Sequence, residues 1–398
     1  MSTHTSRTLI GALVVGLTLS ACGSPESPSD AQDEPVEAAL PDEPVTLDIL
    51  DVGGILNFTR PLFEECQQRN SDVIEKLNFT EGVSTEAVSQ IRAQQAADQV
   101  KVDLVLSGSD AIGAGVVQDV WLPLLPQFEE QLSQPASYSQ EAKDALEIAD
   151  GQAAVLATEL TGPLLLFNPE EVTDPPTTAA ELLEWAEANP DRFTYARPES
   201  SGPGRDFLMG LPYILGDSDP TDPENGWDKT WEYLAELDQY AAPYPSDTGR
   251  SVEGVGQGAY DMVALTAGWD ILSRTDGVVP LTFEIGTLDD FTWIAAGHYA
   301  AVPVGAEDQN VGAALALVNC VLEDDVQLSM YETYGAAVPG PAIEGITVSD
   351  APPDVQEEIA KFSRPVYEEL FESVPTAPEL DAPTLAYAFE RWQREIGS

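Results

Sequence analysis

The sequence predicts an α/β protein built as two lobes, and three observations carry this. Strand-like apolar runs alternate with helical patterns from residue 46 onward. A long apolar segment at 153–168 is followed by a second such series, and an extended run at 292–306 leads back toward the first. TLDILDVGG (46–54) reads as a buried strand ending in two glycines, with a helix after it over about 59–69. A second strand near 73–80 ends at Glu81-Gly82, and STEAVSQIRAQQAAD (84–98) carries apolar residues at helical spacing. VDLVLSG (102–108) is a third strand, running into Ser109 and Asp110. Such alternation predicts a parallel sheet.

The segment 153–168, AAVLATELTGPLLLFN, is long enough to read as one strand crossing between lobes. After it, TTAAELLEWAEANP is a helix opened by Thr177 or Thr178, and FTYARP is a strand. GPGRDFLMGLPYILG (202–216) and WDKTWEYLAELDQY (227–240) are helices. A short helix then precedes a strand ending at Gly268-Trp269-Asp270, and one long helix spans Asn310 to Tyr334. At least two tail helices are expected, at 353–363 and 383–396. This organisation assigns 45–156 and 300–398 to one lobe and 157–299 to the other.

Residues 9–22, LIGALVVGLTLSAC, follow Arg7 and end in a small residue before Cys22, the pattern of a lipoprotein signal. Residues 1–21 are then a signal peptide, and Cys22 carries the acyl groups that hold the chain at the extracytoplasmic membrane face. The apolar run is shorter than the roughly 20 residues a membrane span requires. Residues 22–44, rich in Ser, Pro and acid, read as a disordered tether.

The 398 residues carry 69 acidic and 17 basic side chains, a net charge of −52, which excludes nucleic acid as a natural partner. The acidity either steers a cationic ligand or is a solvated surface suited to a salty milieu. Beyond Cys22 only Cys66 and Cys320 remain, both in expected helices, and outside the cytoplasm such a pair usually forms a disulfide.

The mature chain holds one histidine, His298, so a Ser-His-Asp triad and Cys/His metal sites have little support, and no phosphate-loop or hydrolase-elbow motif is present. DSDPTDPENG (217–226) departs from a calcium loop and reads as a surface turn. The reading is of a binding protein, without cofactor or metal. In open α/β sheets ligands sit beyond the carboxyl ends of strands, which here present Asp51-Gly53-Gly54, Ser109 and Asp110, Glu159, Ser201 with Gly202, and Trp269-Asp270. Tyr299 lies on the returning segment.

YARPESSGPGRDFLMGLPYILG (195–216), PENGWDKTWEY (223–233), GQGAYDMVALTAGWD (256–270), HYAAVPVG and YGAAVPGPAIEGIT resemble the family 1 extracellular solute-binding lipoproteins of ABC transporters, in the branch labelled spermidine/putrescine importers. The resemblance implies a type II periplasmic-binding fold, two lobes closing on one solute, with a membrane permease as partner and a monomeric receptor. For a polyamine it implies carboxylates (Asp110, Glu159, Asp270) for the ammonium groups and aromatics (Trp269, Tyr299) clamping the methylenes. Ser201 to Arg205 departs from that pattern, since hydroxyls, amides and Arg205 at a helix start suit an anion or zwitterion. Two other readings are a secreted glycan hydrolase using two carboxylates, and a surface sensor or adhesion module without transport.

Overall fold

The chain enters its fold at β1 (Val45–Val52), whose alternate residues Leu47 and Ile49 are fully buried. The computed structural model describes residues 38–397 apart from 53, 83 and 335–337, so the signal peptide, Cys22 and most of the tether lie outside the described residues. There follow α1 (Leu56–Arg69), β2 (Ile74–Gly82), α2 (Ser84–Ala96), β3 (Leu104–Ser107), α3 (Ser109–Val116) and α4 (Gln140–Ile148). Next come β4 (Ala154–Leu160), β5 (Leu164–Phe167), α5 (Ala179–Ala188), β6 (Phe193–Thr194), α6 (Gly202–Ile214), α7 (Asp228–Leu237), α8 (Thr248–Gly256), β7 (Met262–Leu265) and α9 (Ala267–Thr275). The chain continues through β8 (Glu284–Gly286), β9 (Trp293–Ala301), α10 (Asp308–Val321), α11 (Asp324–Tyr334) and β10 (Gly340–Pro341). It ends with α12 (Pro353–Phe362), α13 (Pro365–Ser373), β11 (Thr376–Pro378) and α14 (Ala382–Glu395).

Two sheets result. The first has the order β10-β4-β9-β3-β1-β2 with β11 beside β9, and the second β6-β7-β5-β8. β1 pairs in parallel with β2 and β3, as strand–helix–strand units require, while the returning β9 runs antiparallel to β3 and β4. This is a mixed α/β fold with two separate sheets, as two lobes require.

Several expected elements differ. The segment 153–168 is two strands, one per sheet. Pro163 has no N–H to donate, and the bonding to β9 ends just before it, with Thr161 N donating to Ile294 O and Gly162 O accepting from Ile294 N. Pairing in the first sheet continues to Leu160 and resumes at Trp293, whereas the sequence reading changes lobes at 156/157 and 299/300. Gly268, Trp269 and Asp270 are not a strand end but the first turn of α9, because β7 stops at Leu265 and extended Thr266 opens the helix. FTYARP contributes only two strand residues before Pro198 turns the chain. The 310–334 helix is interrupted after Val321, and Asp324 and Asp325 start α11 as acids suited to a helix N-terminus.

The expected disulfide is present: Cys66 on α1 bonds Cys320 on α10, with Cα atoms 5.7 Å apart. The tail is not confined to one lobe. β11 pairs with β9 of the first sheet, yet Leu385, Ala388, Trp392 and Ile396 sit in the core built from Phe167, Tyr195, Phe207 and Trp231. Trp392 donates its indole N–H to Tyr195 Oη at 2.9 Å.

Candidate functional site

In a strand–helix unit the carboxyl end of the strand feeds the amino end of a helix, so strand ends and helix starts gather on one side of the sheet. Here the residues preceding α1, α3, α6 and α9 (Ile55, Gly108, Ser201 and Thr266) line one small pocket of about 50 Å³. Asp110, Glu159, Arg205, Thr248, Trp269 and His298 line it as well. Both lobes contribute, and α2 of the first rests on the 198–200 turn of the second. A larger hollow of about 840 Å³ lies beside α4, half of its lining Leu, Pro and Ala, but the strand ends of the two sheets do not converge there.

Of the residues singled out from sequence, Asp110, Glu159, Ser201, Arg205 and Trp269 come together in this pocket. Gly53 lies outside the described residues. Asp51 is buried and spent on the fold: its Oδ1 accepts from Ile55 N at 2.8 Å and Oδ2 from Leu56 N at 3.2 Å, which caps α1. Burial, only partly countered by those amides, raises its carboxyl to about 6. Gly54 takes a positive φ of 80° in the turn before α1, and Ser109 is fully buried; neither lines the pocket.

Two expected contacts are corrected. Asp270 is fully buried and saturated by Arg274 (3.1 and 2.9 Å), Arg364 (2.8 and 2.8 Å) and the Tyr367 hydroxyl (2.8 Å), leaving no oxygen for a solute. Burial alone would raise this carboxyl, but the two guanidinium groups outweigh it and hold it below the ordinary range. Tyr299 is also fully buried, its hydroxyl donating to Ala145 O at 3.0 Å. Strand alternation explains this: Tyr299 faces α4, so its neighbour His298 faces the pocket. Among the polar pocket residues, His298, Thr248 and Thr266 are ones the sequence reading missed.

Two electrostatic regions share the pocket. In one, Glu159 Oε1 lies 3.6 Å from His298 Nε2, and Glu159 Oε2 packs against the α9 start, 2.8 Å from where a Cβ on Gly268 would stand. In the other, Arg205 is buried at the start of α6, its Nε 2.8 Å from Glu379 and 3.4 Å from Asp206. Burial raises the Asp206 carboxyl to about 7, Arg205 opposing and Glu379 adding to the rise. Glu379 is raised as well, again chiefly by burial. α6 can pack this closely because Gly204 has no side chain: a Cβ there would stand 2.0 Å from Ala196 O. Ser201 caps α6 through Gly204 N (3.2 Å) and shares a 2.8 Å hydroxyl contact with Thr248.

Among the described residues no helix is long and apolar enough to cross a membrane. A search of curated proteins returned no match. Solved structures share the fold at low identity. The spermidine/putrescine transporter substrate-binding protein PotD from Streptococcus pneumoniae aligns at 13% identity and TM-score 0.59, over 88% of this chain and 99% of that one. The periplasmic binding protein AfuA from Actinobacillus pleuropneumoniae, solved with fructose-6-phosphate, aligns at 13% and 0.64, over 88% and 98%. The family model described as bacterial extracellular solute-binding protein matches residues 62–361. The chain belongs to the bacterial extracellular solute-binding protein family.

Proposed function

We propose that this protein is the solute-binding component of an ABC importer, held by acylated Cys22 at the extracytoplasmic membrane face and acting as a monomer without catalysing a reaction. It captures a small polar solute bearing at least one ammonium group, of which a polyamine is one form, and presents it to the membrane permease. The observation that supports this best is the pocket itself, where Asp110 and Glu159 stand with Trp269 among residues contributed by both lobes. A carboxylate offsets an ammonium charge, and an indole face attracts both the cation and its methylenes. A solute touching both lobes stabilises their closed arrangement, which is the form a permease can distinguish from the open one.

Calorimetric titration of the purified protein with amines tests the capture, and a saturable heat with at least one is the expected result. Mass spectrometry of membrane-extracted protein tests the anchor. A mature chain beginning at diacylglyceryl-Cys22 is expected, and an unmodified, freely secreted chain would remove it.

A further inference from the structure

The starts of the helices around the pocket are not alike. α3 carries Asp110 in its first turn, α1 is capped by Asp51, and Glu159 stands against Gly268 at the start of α9. Each places a carboxylate where the positive end of a helix favours one. α6 has no acid in its first turn and carries Arg205 there instead, where the helix field disfavours a cation. Glu379 and Asp206 compensate it, both approaching nearest at Nε, and Asp110 and Glu159 add to the negative field on it. The forked end points elsewhere. Nη1 lies 3.5 Å from where a Cβ on Gly108 would be, and Nη2 3.6 Å from the same point on Gly202, both glycines lining the pocket. A second observation is independent of the helix: Thr266 is 1% exposed, lines the same pocket, and its Oγ1 has no hydrogen-bond partner among the described residues. A buried hydroxyl without a partner is costly unless a ligand supplies one.

We propose that the captured solute is a zwitterion, an amine that also carries a carboxylate or phosphate group, with its oxyanion end seated at the start of α6 against Arg205, Thr248 and Thr266. This rests on the solute-capture reading above and adds the second charge. The amine end faces Asp110 and Glu159, and the oxyanion end receives the guanidinium fork, which matches two oxygens at once. The pocket is thereby bipolar, and a diamine would bring a second cation against Arg205.

The test is a thermal-shift and calorimetric comparison of five probes: 4-aminobutyrate and O-phosphoethanolamine as zwitterions, 1,4-diaminobutane as the amine, and succinate and inorganic phosphate as oxyanions. At least one zwitterion is expected to bind about tenfold or more tightly than the amine and the oxyanions, and the two zwitterions tell carboxylate from phosphate. Equal or tighter binding of the diamine, or of either oxyanion, overturns the zwitterion and leaves solute capture standing. No stabilisation by any of the five overturns the capture reading and this inference with it. Thr266→Val, which keeps the side-chain shape, is expected to weaken the zwitterion about fivefold and leave the diamine unchanged. Arg205→Lys retains the charge but not the fork, and about a tenfold loss for the zwitterion is expected. Unchanged zwitterion affinity in both variants overturns the assignment of the oxyanion end.

Discussion

Two buried ionic clusters, each built on Arg–carboxylate pairs, differ in which charge is outnumbered. Around Asp270 one carboxylate meets two guanidinium groups and a phenol, every oxygen is used, and the cluster joins α9 to the start of α13. Around Arg205 one guanidinium meets two carboxylates, both nearest at Nε, while Nη1 and Nη2 lie beside the pocket glycines Gly108 and Gly202. The first is closed and structural, the second open and available to a ligand. They also differ in how they tolerate loss. A guanidinium cannot give up its proton, whereas a buried carboxyl can take one.

The largest effect that could break this contrast is Asp270→Ala. Leaving Arg274 and Arg364 buried without their anion is expected to cost about 3–5 kcal/mol in denaturant unfolding, and a loss below about 1 kcal/mol would erase the distinction. Arg205→Met is expected to cost less, and less at pH 5.5 than at pH 8, because Asp206 and Glu379 neutralise themselves as pH falls; a pH-independent cost would contradict that. The unmodified protein carries the same sign. Asp206, raised from 3.8 to about 7, binds its proton more tightly folded than unfolded, so its contribution falls as pH rises from 3.8 to 7 and is level outside that window. The slope is at most about 1.4 kcal/mol per pH unit, and Asp206→Asn should flatten it in thermal melts between pH 4 and 7. Asp270, whose carboxyl is lowered, acts oppositely: its stabilisation is present above 3.8 and is lost as pH falls through the lower folded value. The smallest effect on stability is expected for half-buried Trp269. Its replacement by Ala should shift the melting temperature by about 2 °C or less while weakening solute binding about tenfold, measured by calorimetry.

Much of this fold was legible because its signals are local. Apolar runs such as LDILDV and LVLS mark buried strands, and two cysteines in an exported chain mark a bond. The site was legible only in part, for two physical reasons. β9 is buried on both faces apart from half-buried Ala295, so WIAAGHYAA lacks the polar alternation that would tell which of His298 and Tyr299 faces the solute. The fate of Asp270 depends on Arg364 and Tyr367, 94 and 97 residues away, and no local pattern reports such a partner. α3 was missed because Gly113 and Gly115 dilute its helical pattern, although they allow close approach to Ala382 and Trp121.

The last helix carries a consequence for the order of events in the cell. Trp392 and Ile396 complete the core of a lobe whose residues before the tail lie some 100–230 positions earlier, and Glu379 is one of the two carboxylates paired with Arg205. A chain still emerging from the ribosome lacks both, so its second lobe has a hole where an indole belongs and Arg205 without its nearest carboxylate. The second lobe can therefore complete its core only once residues 379–396 are available to it.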